Sequence, residues 1–78
     1  MQESEIKIRF DAGELNACIA TRSPMDSKKW IVHFYSRKSS KQINLETQRG
    51  GVREFKTLDA VAKLVDKVGF KSYTVHLV

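Results

Sequence analysis

Apolar and polar side chains alternate in EIKIRF at residues 5–10, where Ile6, Ile8 and Phe10 interleave with Glu5, Lys7 and Arg9. A period of two predicts a half-buried strand. Gly13, in DAGE, suits the positive φ of a tight hairpin, and LNACIAT then returns with Leu15, Ala17 and Ile19 on one face and Asn16, Cys18 and Ala20 on the other. Pro24 ends that strand inside the polar loop SPMDSKK. KWIVHFYS sets Trp30, Val32 and Phe34 against Ile31, His33 and Tyr35, so both faces carry apolar or aromatic weight and a central strand is expected. RKSSK at 37–41 reads as an exposed hairpin loop, QINLETQ as a returning strand with Ile43 and Leu45 inward, RGG at 49–51 as a turn, and VREF at 52–55 as a short edge strand.

The period changes after residue 56. Leu58, Val61, Ala62, Leu64, Val65 and Val68 recur at the three-and-four spacing of one buried helix face. Thr57 is the expected N-cap, Asp59 suits the positive end of the helix dipole, and Gly69 ends the last turn. The outward residues Asp59, Lys63, Asp66 and Lys67 are two of each sign. A helix that reads the major groove presents an uncompensated basic or amide-rich face, so this one is expected to be a lid over the sheet. KSYTVHLV closes the chain as a last strand, with Tyr73, Val75 and Leu77 on one face and Thr74, His76 and Val78 on the other. The fold class that follows is α+β: an antiparallel sheet of four to six strands with one helix, about 57–68, packed on one face. The order is β-β-β-β-(β)-α-β, in a single compact domain spanning 1–78.

A core built from 78 residues supplies only a few kcal/mol of net stability, which makes pairing with a second copy a natural supplement. The single cysteine, Cys18, rules out an internal disulfide framework, and no apolar run is long enough for a signal core or a membrane span. A soluble, intracellular, cytoplasmic protein is expected. The formal net charge is +5, and its distribution adds to the picture. Residues 1–21 are net −2, residues 22–56 net +6, and residues 57–78 net +1, so the positive charge belongs to the middle of the chain. Such clustering suits an anionic partner, although many soluble proteins carry it for solubility alone.

With the helix on one side, simple alternation leaves Lys7, Arg9, Asn16, Cys18, Ile31, His33, Tyr35, Asn44, Glu46, Thr74 and His76 on the other. A face of basic, amide and aromatic side chains can meet a phosphate backbone and reach into a groove, while an antiparallel sheet with one solvated face is at least as common. The loops flanking it add Lys28, Lys29, Arg37, Lys38 and Lys41, with Ser36, Ser39 and Ser40 as further donors to phosphates. The candidate nucleic-acid-binding residues are therefore Lys7, Arg9, Lys28, Lys29, His33, Tyr35, Arg37, Lys38 and Lys41.

Catalytic constellations are not found in the sequence. His33 and His76 share a phase but no third ligand stands at a metal-like spacing, and Cys18 among Ala17, Ile19 and Ala20 reads as an inert thiol. There is no phosphate-binding glycine loop and no paired carboxylate motif, so neither an enzyme, a cofactor nor a small-molecule substrate is indicated.

KKWIVHFYSRKSSKQ, the later REFKT, and LDAVAKLV together resemble the arm-binding N-terminal domain of phage-type and transposon-type tyrosine recombinases. Small accessory proteins of plasmids and other mobile elements share this general look. The recombinase resemblance covers about half the chain and implies three strands packed on a helix, with the sheet laid in the major groove of DNA. It would place Trp30 and Phe55 in the core and His33, Tyr35, Arg37, Lys38 and Lys41 on or near the DNA-facing sheet. The expected N-terminal hairpin and the C-terminal strand lie outside the family pattern. The expected function is a small, non-catalytic DNA-binding module. The alternative is a protein-interaction or homodimerising module that uses a sheet edge, VREF or KSYTVHLV, or apolar outer residues such as Ile31, Tyr35 and Val78.

Overall fold

A computed structural model describes residues 1–38 and 42–77 of the chain. It begins with a helix, not a strand: α1 spans Glu3–Asp11. Three alternating apolar residues satisfy both periods, because Ile6 and Phe10 are also four apart and share a helix face. Ile6 is fully buried and Phe10 packs against the core, whereas Ile8, between them, is 68% exposed. Local charge agrees with the helix, with Glu3 and Glu5 in the first turn and an exposed Lys7–Asp11 pair one turn apart. Gly13 takes φ 76° to end α1 and does not close a hairpin. Its N–H donates to Phe10 O and that of Glu14 to Arg9 O, the paired bonds of a Schellman cap.

The sheet follows: β1 at Leu15–Arg22, β2 at Trp30–Ser36, β3 at Gln42–Asn44 and, after the second helix, β4 at Thr74–His76. Its order is β3-β2-β1-β4. β1 pairs antiparallel with β2 and β2 with β3, but β4 runs parallel to β1, so the sheet is mixed. The crossover explains this: α2, Leu58–Val68, carries the chain back over one face to the far edge, and a strand entered after a helical crossover runs parallel. VREF forms no strand. Phe55 and Val52 make only isolated bridges, to Trp30 and Glu46.

An irregularity between Leu15 and Ala17 changes the phase of β1. Leu15 points to the core as expected, but beyond the bulge the core-facing residues are Cys18 and Ala20, and Ala17 and Ile19 turn outward. The core lies between the sheet and two helices, with Phe34, Ile6, Leu45, Val32, Val61 and Val68 fully buried and Trp30 and Phe55 nearly so. Burial of Cys18 pushes its thiol up to about 12. The termini of α2 form as the sequence specifies. Thr57 Oγ1 accepts from the Ala60 N–H at 3.1 Å, and Gly69 sits at φ 126°. At the C-terminal end of α2, Phe70 stacks between Phe10 and Phe34, with centroid separations of 4.7 and 5.9 Å. Glu3 ties the helices to the chain beyond the sheet, accepting from Lys67 Nζ at 2.9 Å and Arg53 Nη1 at 3.1 Å.

Candidate nucleic-acid interface

Both helices occupy one side of the sheet, so the other side is built by strand residues, joined at the β1–β2 loop end by Ser23, Pro24, Met25, Val52 and Glu54. Cross-strand register assigns them: Ala17 opposite Tyr35, Ile19 opposite His33 and Thr21 opposite Ile31 across β1 and β2, with Gln42 and Asn44 opposite Tyr35 and His33 on β3. Thr74 and His76 of β4 stand beside Ile19 and Thr21. Among the described residues the face holds no Lys or Arg. Its polar members are amide, hydroxyl and imidazole groups set beside Ala17, Ile19 and Ile31, and Gln42, Asn44, Thr74 and His76 are exposed.

A hydrogen-bonded chain runs across three strands of this face. Thr21 Oγ1 lies 3.3 Å from His33 Nε2, His33 Nδ1 lies 2.7 Å from Asn44 Oδ1, and Gln42 Nε2 lies 3.1 Å from Asn44 Oδ1 and 2.9 Å from His33 Nδ1. Tyr35 OH donates to Gln42 Oε1 at 3.2 Å. Because both ring nitrogens of His33 have partners, the ring can be buried on a sheet face that no helix covers. The linked groups hold a fixed array of donors and acceptors without spending side-chain entropy on contact. His76 takes no part: β1 separates it from His33.

The sequence-predicted cations divide. Lys7 and Arg9 belong to α1 on the helix side, where Lys7 Nζ is 3.1 Å from both Asp11 Oδ1 and Val68 O, and Arg9 Nη1 is 3.2 Å from Glu14 Oε2. They are not on the open face, because the segment that carries them is helical. Asn16 is exposed at the bulge, Cys18 is in the core, and Glu46 is paired with the N-terminal ammonium. Lys28 and Lys29 lie in the β1–β2 connection at one end of the sheet, and Arg37 and Lys38 in the β2–β3 connection at the other. Lys38 Nζ approaches Glu14 Oε1 at 3.6 Å, while Lys28, Lys29 and Arg37 form no ion pair among the described residues. Lys41, Ser39, Ser40 and Val78 lie outside the described residues.

Sequence reasoning missed Thr21 and Gln42 as parts of the face. QINLETQ carried the signal for Gln42, since Ile43 inward forces its neighbours outward; Thr21 was hidden by the bulge. Also missed was a cleft of about 440 Å³ at the β1–β2 loop end, lined by Ser23, Pro24, Met25, Ile31, His33, Asn44, Val52 and Glu54. Nothing local in the sequence joins residues 23–25 to 52–54. No helix is long and apolar enough to cross a membrane among the described residues. No protein-family model matches the chain, and neither a curated protein nor a solved structure matches it.

Proposed function

We propose that this chain is a small, non-catalytic nucleic-acid-binding module that lays the open face of its sheet on DNA and holds phosphates with the loops at both ends. The observation that carries the reading is the juxtaposition of a rigid polar row, Thr21–His33–Asn44–Gln42–Tyr35, with Lys28 and Lys29 beyond one end and Arg37 and Lys38 beyond the other. Cations at the ends supply sequence-independent attraction, and the amides and imidazole between them are the groups that meet base edges. The resemblance of KKWIVHFYSRKSSKQ, REFKT and LDAVAKLV to recombinase arm-binding domains supports the same reading. Lys7 and Arg9 drop out of the interface; Gln42 and Thr21 join it.

The test is an NMR titration of labelled protein with a mixed-sequence duplex at low and near-physiological salt. Salt-sensitive shifts are expected in 28–38 and at Gln42 and Asn44, with Asp59, Lys63, Asp66 and Lys67 on α2 quiet. Silence at low salt removes duplex DNA from consideration.

One observation favours a second reading, a homodimer or protein partner added at a sheet edge. β4 is an outer strand of three residues followed by Leu77, which is 62% exposed. Apolar edge pairing persists in high salt whereas phosphate binding falls steeply, so sedimentation across a salt series separates the two.

A further inference from the structure

We infer that the cleft at the β1–β2 loop end is a pocket for one unpaired nucleobase, so that the module engages single-stranded or locally opened nucleic acid. This rests on the nucleic-acid reading above and specifies the form of the ligand. The apolar part of the lining is Pro24, Met25, Ile31 and Val52, of which Ile31 is buried while Met25 and Val52 are respectively 87% and 46% exposed. Large apolar side chains left in water around a hollow favour a ligand with flat apolar faces.

The polar lining is equally selective. Ser23 and His33 are buried and already satisfied, Ser23 by donating to Glu54 Oε2 at 2.5 Å and His33 by Thr21 and Asn44. That leaves Glu54 Oε1 as an acceptor and Asn44 Nδ2 as a donor with no hydrogen bond among the described residues. An acceptor and a donor lining one cleft suit the edge of a nucleobase, which offers an N–H beside a lone pair.

Charge argues against the rival occupant, a lysine or arginine side chain of a protein. Such a group would also suit a carboxylate between apolar walls. However, the loop forming one wall carries Lys28 and Lys29 without ion pairs among the described residues, and Lys56 follows Glu54 by two residues. These cations repel a basic segment and attract a chain that is anionic outside and donor-bearing inside, which describes a nucleotide strand.

The test compares a short single-stranded oligonucleotide with an abasic strand of equal length, which keeps every phosphate and lacks the bases. The full chain is titrated with each, by fluorescence anisotropy and by amide shifts. The base-bearing strand is expected to bind on the order of tenfold more tightly, through burial of a base against apolar side chains, and to shift Met25, Ile31, His33, Asn44 and Glu54. Replacing both exposed walls, Met25→Ala with Val52→Ala, should weaken the base-bearing strand several-fold and leave the abasic strand unchanged. Equal binding of the two strands overturns the pocket and leaves the phosphate-binding loops standing. Binding of neither overturns the nucleic-acid reading with it. Shifts at the cleft with N-acetylarginine amide and none with the oligonucleotide overturn the pocket in favour of a protein partner.

Discussion

The ring of Phe10 occupies the space that a side chain on Gly69 would need. A Cβ built there would lie 2.9 Å from Phe10 Cδ1, 3.1 Å from Cζ and closer still to Cε1. The end of α1 and the end of α2 therefore meet at a bare backbone, and the ring that fills the gap continues onto Phe70 and Phe34.

Gly69→Ala combines a positive φ with an overpacked contact, and is expected to cost about 2–5 kcal/mol. Gly13→Ala, at φ 76° with nothing within 4 Å of its Cβ, meets only the backbone penalty, about 1–2 kcal/mol. Urea midpoints of the two variants measure the difference. Equal losses would mean that Phe10 is not seated on Gly69.

Glu3 is drawn below the ordinary carboxylate range chiefly by the hydrogen bond from Lys67, with Arg53 adding to it and burial opposing. A depressed carboxyl contributes stability above its unfolded pKa and loses it as pH falls through the folded value, so the contribution fades on acidification below about pH 4.5. Glu3→Gln should lower stability at neutral pH by at most about 1 kcal/mol, since the pairs are partly exposed. Its melting temperature should converge with the unaltered chain's in acid; a gap that persists there would assign Glu3 a packing role instead.

Cys18 is in the core beside Phe34 of the neighbouring strand, with its thiol pushed up to about 12. A raised folded pKa leaves stability whole below the unfolded value and erodes it as pH climbs from near 9 toward 12. At pH 8 the native chain should resist a disulfide reagent for far longer than the urea-unfolded chain. Rapid native labelling would show that the sheet opens readily at β1.

The two loop clusters should contribute separately to phosphate binding. Lys28→Ala with Lys29→Ala, and Arg37→Ala with Lys38→Ala and Lys41→Ala, should each leave the fold intact and lower the salt dependence of DNA affinity. The expected loss of slope is about 0.9 per phosphate contact removed. Salt slopes from anisotropy would exclude a cluster whose loss changes nothing.

Local pattern was sufficient for the presence of β1, β2 and β3 and for the limits and caps of α2, because each rests on a period or cap that neighbouring residues specify; it did not set the phase of β1 beyond Leu15 or the end of β3, which stops at Asn44 inside QINLETQ. It also placed Ile31, His33 and Tyr35 on the uncovered face, since β2 has no irregularity to break the alternation. EIKIRF failed because three residues cannot separate a period of two from a spacing of four, and burial of Ile6 against the helix-side core decides between them. The loss of Lys7 and Arg9 from the interface follows from that one ambiguity.

The sequence by itself determined an α+β domain with a neutral helix face, a basic middle and a central strand of double-sided apolar weight. Only the tertiary structure decided that two helices share one side, that β4 joins parallel beside β1, and that residues 23–25 meet 52–54 around a cleft. The reason is physical. Periodicity and caps are set by residues within a few positions, whereas sheet order, a bulge's change of phase and a pocket's lining are set by contacts between segments that no local spacing connects.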